Sequence, residues 1–157
     1  MSVTERITHS PAQTQELGRR LGALIQPGDV ICLTGELGAG KTTLAVGIGA
    51  GWGASEVVNS PTFVFVNEYS RPGGDRLFHV DAYRLRHAAE AETIALPDLL
   101  NDSRAALLIE WPERVLALLP AERLWIELRW LSEEARRIRL ETIGERYWQT
   151  LRLMDGT

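Results

Sequence analysis

The stretch GELGAGKT, Gly35 to Thr42, lies between the apolar run VICL (30–33) and a segment that continues TLAVGIGAGWG. It fills the pattern G-x-x-x-x-G-K-[ST], in which glycines let consecutive backbone amides curl around a phosphate group, the lysine reaches the outer phosphate oxygens and the hydroxyl ligates Mg²⁺. Such a loop works only at the end of a buried strand and the start of a helix, whose positive end faces the anion. VICL supplies the strand, because an all-apolar run of this length reads as a parallel strand buried on both faces. A helix is expected from about Thr42 to Gly51. Gly47, Gly49 and Gly51 each cost it roughly 1 kcal/mol against alanine, and close packing of another backbone accounts for them.

The charge composition singles out the same loop. Lys41 is the only lysine among 17 basic residues, all the others being arginine. A bias toward arginine explains a surface where either cation serves, but not this exception. A tight ring of backbone amides needs a compact ammonium on a flexible stem, and a broad guanidinium does not replace it. Glu36, Leu37, Gly38, Ala39, Gly40, Lys41, Thr42 and Thr43 are therefore the expected phosphate-binding residues, with Lys41 on the β- and γ-phosphates and Thr42 on the metal. With its one lysine spent in the loop, the chain has none for the N-K-x-D guanine signature, so ATP rather than GTP is expected.

A length of 157 residues fits one domain, taken here as 1–157. The net charge of −4 argues against a protein that grips nucleic acid unaided. The opening MSVTERITHS lacks the basic stretch and apolar core of a secretory signal, and no apolar run would span a membrane, so a cytoplasmic protein is expected. Cys32, the only cysteine, lies within VICL and reads as a small core residue.

Along the chain, HSPAQTQELGRRLGALIQPGD reads as a helix with Ser10 as cap, Pro11 in the first turn, Gln13 three residues after the cap and a Pro27-Gly28 stop. Leu17, Leu21, Leu24 and Ile25 form its apolar face, which is expected to pack on a sheet. TFVFVNEY and RLFHVDAY flank SRPGGD and read as an antiparallel hairpin, with Leu77, His79 and Asp81 on one face and Phe78, Val80 and Ala82 on the other. A helical stretch follows through RHAAEAETIALPDLL. AALLIE (105–110) is a second buried strand, and Pro112 opens a short helix through ERVLALL that stops at Pro120. RLWIELRWL and ARRIRLETI read as another strand pair, and GERYWQTLRLM as a closing helix.

A magnesium-dependent site also needs a carboxylate at a strand end beside the loop. Asp81 and Glu110 qualify, and either could hold the metal or orient an attacking water; the fully apolar ALLI favours Glu110 for the metal. In NSPTF (59–63), Pro61 holds Ser60 extended, and the hydroxyls of Ser60 and Thr62 make a stiff segment suited to sensing a γ-phosphate. His79 reads as a packed, hydrogen-bonded residue rather than a catalytic one. Tyr83, Arg84 and Trp111 flank the two carboxylates and are candidates to face nucleotide or partner. A small-molecule kinase with Asp81 as base, and a nucleotide-dependent binding module without turnover, remain open on these residues alone.

Four segments taken together, GELGAGKTTL, SPTFVFVNEY, FHVDAYRL and LIEWPERV, with LLPAERLWIEL near the C-terminus, resemble the TsaE (formerly YjeE) family of small ATPases that serve bacterial synthesis of threonylcarbamoyladenosine in tRNA. The resemblance implies an α/β P-loop NTPase fold, three-layered around a mixed sheet with parallel core strands and antiparallel hairpins. It implies weak ATP hydrolysis to ADP with Mg²⁺, and partnership with TsaD and TsaB, which modify adenosine 37 of tRNAs reading codons that begin with adenine; tRNA is met only through that complex. By the same resemblance Lys41 and Thr42 hold phosphate and Mg²⁺, Glu110 is the metal-side carboxylate, Asp81 belongs to a switch-II-like segment, Ser60 to Thr62 form a switch-I-like one, and residues around Ser10 border the adenine. Two positions depart from the family: no basic residue stands near Val46, and Ala95 replaces a usual glycine.

Overall fold

The computed structural model of the chain describes residues 1–54, 57–59 (backbone), 66–83 and 96–155. Within them, strands β1 (Ser2–Thr8), β2 (Val30–Thr34), β3 (Val57–Asn59), β4 (Val66–Ser70), β5 (Arg76–Asp81), β6 (Ala105–Glu110), β7 (Arg123–Trp130) and β8 (Arg136–Ile143) form one mixed sheet in the order β1-β8-β7-β2-β6-β5-β4-β3. β5, β6, β2 and β7 run parallel at its centre, and antiparallel pairs flank them on both sides. The α/β fold with parallel core strands and antiparallel hairpins expected from the sequence is therefore present.

The helices are α1 (Pro11–Gly22), α2 (Lys41–Trp52), α3 (Leu96–Leu100) and α4 (Glu145–Asp155), with a 3₁₀ segment at Pro112–Leu118. They form two layers, because each central strand buries alternate side chains on opposite faces. Ile31, Leu33, Leu77, Ala106 and Leu108 join α1, α2 and α4 in one core cluster. Val30, Cys32, Phe78, Val80, Leu107 and Ile109 join α3 and the 3₁₀ segment in the other. The split of the β5 face follows the sequence alternation, with Leu77 on one side and Phe78, Val80 and Ala82 on the other. Cys32 is fully enclosed, and burial pushes its thiol up to about 12, as befits an inert core residue.

Three expectations need correction. Residues 2–8 carry no apolar pattern that predicts an element, yet they form the edge strand β1, paired with β8. Its pattern is inverted: Val3 and Ile7 face solvent while Thr4 and Arg6 are half-buried and Thr8 is buried, so the ladder to β8 rather than apolar periodicity fixes it. Helix α1 ends at Gly22, well before Pro27-Gly28, because Leu24 and Ile25 close tighter turns onto Leu21 and Gly22. Its principal neighbour is α2 rather than the sheet. A Cβ on Gly47 would overlap the Gln15 carbonyl of α1, and one on Gly51 the Arg19 carbonyl. Gly47 and Gly51 thus serve backbone contact, as the sequence suggests, whereas Gly49 makes room for the Tyr69 ring. Ser60, Thr62, Arg84 and Ala95 lie outside the described residues, as does most of the helical stretch expected before Leu96.

Candidate functional site

Parallel strands end together, and here that places chemistry side by side. In the sheet register Leu33, the penultimate residue of β2, stands beside Glu110 at the end of β6, and Glu110 stands beside Asp81 at the end of β5. The loop that leaves β2 therefore turns directly above two strand-end carboxylates.

The loop reaches α2 through Gly38 and Gly40, whose φ values of 83° and 103° lie in the left-handed region that glycine occupies without strain. Gly40 caps α2 with backbone alone; no side chain bonds the first turn. The Leu44 amide is the first to find a helical acceptor, the Gly40 carbonyl at 3.0 Å. The amides of Lys41, Thr42 and Thr43 precede it and have no partner within the helix. An uncapped helix start with free amides is a place for an anion.

A cavity of about 370 Å³ opens over this helix start, lined by Leu37, Gly38, Gly40, Lys41, Thr42, Thr43, Asp81, Tyr83, Glu110, Trp111 and Arg136. Most of the residues singled out from the sequence thus meet in one place. Ala39 packs in the core beneath the loop, and Glu36 lines a neighbouring cavity with Trp111 and Trp130. Ser10 is not among the lining residues; its hydroxyl accepts from the Gln13 amide at 3.1 Å and caps α1.

Lys41 is buried, with its ammonium donating to the Gly35 carbonyl at 2.5 Å and standing 3.9 Å from the Trp111 ring centroid. Burial lowers its pKa, and the nearby carboxylates of Glu110, Glu113 and Asp81 oppose that shift. Trp111 is the one described non-glycine residue with positive φ, 58°, and Tyr83 packs on it with ring centroids 4.9 Å apart. Strain of this kind persists where surroundings enforce it. Pro112 begins the 3₁₀ segment immediately afterwards.

Glu110 is held by His79, whose Nε2 lies 2.8 Å from its Oε2, with the two side chains 12% and 13% exposed. Burial pushes the Glu110 carboxyl up, but its hydrogen bond and electrostatic interaction with His79, together with the Lys41 ammonium, outweigh that and leave the group below the usual carboxylate range. Asp81 is exposed and accepts from the Tyr83 amide at 3.0 Å, which ties the chain leaving β5 to its carboxylate.

The donor set suits a hard cation only in part. The Thr42 hydroxyl and the Glu110 and Asp81 carboxylates are oxygen donors of the kind Mg²⁺ takes. Among the described residues no group of three or more His, Cys, Asp or Glu forms a cage of its own. Such a site fits an ion that draws its remaining ligands from phosphate and water.

One residue of the lining was missed in the sequence. Arg136, at the start of β8, packs its side chain against Gly40, as a Cβ there would lie 3.6 Å from its Cγ and Nε. Its Nη1 donates to the Ser132 and Ala135 carbonyls at 2.7 and 2.9 Å, and among the described residues its buried Nε has no partner. Nothing in ARRIRLETI distinguishes it from the other arginines. His79 was read as packed and hydrogen-bonded, which it is, but its partner is the carboxylate at the centre of the site. Among the described residues no helix is long and apolar enough to cross a membrane.

Comparison with known proteins adds an independent finding. The sequence model of the family described as threonylcarbamoyl adenosine biosynthesis protein TsaE matches residues 8–138. The tRNA threonylcarbamoyladenosine biosynthesis protein TsaE of Streptomyces coelicolor is 42% identical over 142 residues, covering 87% of this chain and 94% of that protein. The protein of the same name from Bacillus subtilis is 36% identical over 140 residues, covering 89% of this chain and 86% of that one. Among solved structures, the crystal structure of Bacillus subtilis YdiB superposes with a TM-score of 0.79 and 28% identity, covering 98% of this chain and 95% of that one.

Proposed function

Because the chain belongs to the TsaE family of threonylcarbamoyladenosine biosynthesis proteins, we propose that it is a slow, Mg²⁺-dependent ATPase of the cytoplasm that supports threonylcarbamoylation of adenosine 37 in tRNA, working with TsaD and TsaB. The observation that carries the ATPase reading is the uncapped start of α2, with Lys41 beside it and two strand-end carboxylates below.

In this reading the amides of Gly38 to Thr43 and the Lys41 ammonium hold the β- and γ-phosphates of ATP. Lys41 leaves the Gly35 carbonyl and the Trp111 face to do so. Thr42 and Glu110 would hold Mg²⁺, which when bound neutralises charge on the phosphate oxygens. Asp81 accepts a proton from, or orients, the attacking water; the carboxylate that also bonds the Tyr83 amide links that event to the chain beyond β5. Ser60 to Thr62 and Arg84 complete the switch that a partner reads, ordered by an intact γ-phosphate and released by hydrolysis. The net charge of −4 is in keeping with tRNA being met through the complex.

The test is release of inorganic phosphate from ATP and Mg²⁺ by the purified chain, alone and with TsaB and TsaD of the same organism. Slow release that rises in the complex and disappears in Lys41→Ala is the expected result. Full Mg²⁺-dependent hydrolysis by Glu110→Ala would overturn the metal assignment. Tight ATP binding without release under either condition would replace the ATPase by a binding module.

A further inference from the structure

The strongest unexplained feature of the molecule is a histidine that gains little by being where it is. His79 sits in the middle of β5, a strand whose neighbouring side chains Leu77, Phe78 and Val80 are wholly apolar and buried. Among the described residues its enclosed Nδ1 has no hydrogen-bond partner, which costs stability that a leucine or phenylalanine would not forfeit. Its only polar contact among the described residues is Nε2 to Glu110 Oε2 at 2.8 Å.

The pocket for the ring is nonetheless built from several elements. Tyr69 of β4 flanks it, with ring centroids 6.3 Å apart and planes inclined at 33°. Tyr69 is placed in turn by Trp52 of α2, whose Nε1 donates to the Tyr69 carbonyl at 3.1 Å. Gly49 of α2 leaves the space that the tyrosine ring occupies, since a Cβ there would meet Cε1 at 2.6 Å. The helix that begins at the phosphate loop therefore also fixes the wall behind His79.

We propose that His79 is a positioning residue for Glu110, holding one carboxylate oxygen so that the other is presented to the cation and phosphate side of the cavity. The inference rests on the reading of Glu110 as the metal-side carboxylate and says how that carboxylate is kept ready. A carboxylate at this position has a competing partner, the Lys41 ammonium, whose charge it already feels. Direct pairing of the two would spend both groups on each other. Instead, among the described residues, Lys41 bonds the Gly35 carbonyl and covers the Trp111 ring, while Glu110 Oε2 is occupied by the imidazole. The imidazole keeps the carboxylate turned toward β5 and leaves the ammonium for phosphate. Ligating carboxylates are oriented in this way by hydrogen bonds from outside the ligand set.

The test compares binding of a fluorescent ATP analogue in excess Mg²⁺ and in EDTA, using the full chain and the variants Glu110→Gln, His79→Leu and His79→Gln, each checked for folding by urea denaturation. Glu110→Gln loses the Mg²⁺-dependent gain in affinity. His79→Leu loses about tenfold of the same gain and binds in EDTA as the unaltered chain does. His79→Gln, whose amide nitrogen can donate from near the Nε2 position, recovers most of it. If the leucine variant is unfolded at the assay temperature, His79→Asn, whose amide is too short to reach Oε2, takes its place. Loss in Glu110→Gln with full gain in His79→Leu overturns the positioning role. Equal weakening in Mg²⁺ and in EDTA by every His79 variant makes the residue merely structural and also overturns it. An unchanged gain in Glu110→Gln defeats the metal reading of Glu110 itself, and the positioning inference with it.

Discussion

Helices α1 and α2 lie against each other and are built on opposite plans. α1 is specified locally: Ser10 caps it, Pro11 opens it, the Gln13 side chain reaches back to the His9 amide at 2.7 Å, and Arg19 and Arg20 close it. α2 has no side-chain cap, no acidic residue in its first turn, no basic residue in its last, and glycines at 47, 49 and 51. By propensity it is the poorer helix by about 1 kcal/mol for one glycine more than α1, which carries Gly18 and Gly22, with Thr42, Thr43, Val46 and Ile48 adding a few tenths each. A capped helix has satisfied its own amides and has nothing left for a ligand. An uncapped one keeps them, and its stability must come from packing, here from α1 and the sheet through Leu44, Ile48 and Trp52. The chain has placed its self-capped helix beside its uncapped one.

The contrast breaks most sharply at Lys41. Lys41→Ala should weaken ATP binding in Mg²⁺ by about a hundredfold or more, as loss of a buried charge partner does, while urea denaturation moves by no more than about 1 kcal/mol because the ammonium is buried at a cost. ATP affinity that survives the change would leave α2 as an ordinary buried helix. Saturating ATP and Mg²⁺ should in turn stabilise the chain by about 2.7 kcal/mol at a hundred times Kd. In hydrogen exchange the protection should concentrate at the amides of residues 40–43 and pass over the first turn of α1, which is already bonded. Uniform protection of both helix starts would erase the distinction.

Gly47→Ala carries two effects of opposite sign, a propensity gain of about 1 kcal/mol and overlap with the Gln15 carbonyl that costs about 3 kcal/mol. A net loss near 2 kcal/mol in urea is expected, and a stabilised variant would show that α1 does not constrain α2. The smallest effect belongs to Ser10→Ala, about 1 kcal/mol for a lost cap, read by thermal or urea unfolding. ATP affinity that falls along with it would sharpen the picture differently, since Ser10 would then serve the adenine as well as the helix.

Much of this was legible in the sequence. VICL and ALLIE are apolar on both faces and became adjacent parallel strands, and SRPGGD turned the β4–β5 hairpin with Gly73 and Gly74 in the left-handed region. What escaped had no local signal. β1 turns Val3 and Ile7 to solvent, so its pattern speaks against burial on the face where it packs. Arg136 is one arginine among many, and only the approach of β8 to Gly40 sets it apart. His79 is packed and hydrogen-bonded as its sequence neighbours suggest, but the identity of its partner, 31 residues away, has no local signal.

The sequence by itself determined the elements whose physics is local: a glycine-rich turn that exposes amides, a single lysine suited to them, the capped helix before it and the apolar strands around it. Tertiary structure alone decided which groups stand within hydrogen-bond reach. Register between β5 and β6 set Asp81 beside Glu110 and brought His79 to the same carboxylate, and the packing of α2 against Tyr69 walled that histidine in. A contact between strands depends on alignment to a fraction of a residue, and that alignment is fixed by the whole sheet rather than by either segment.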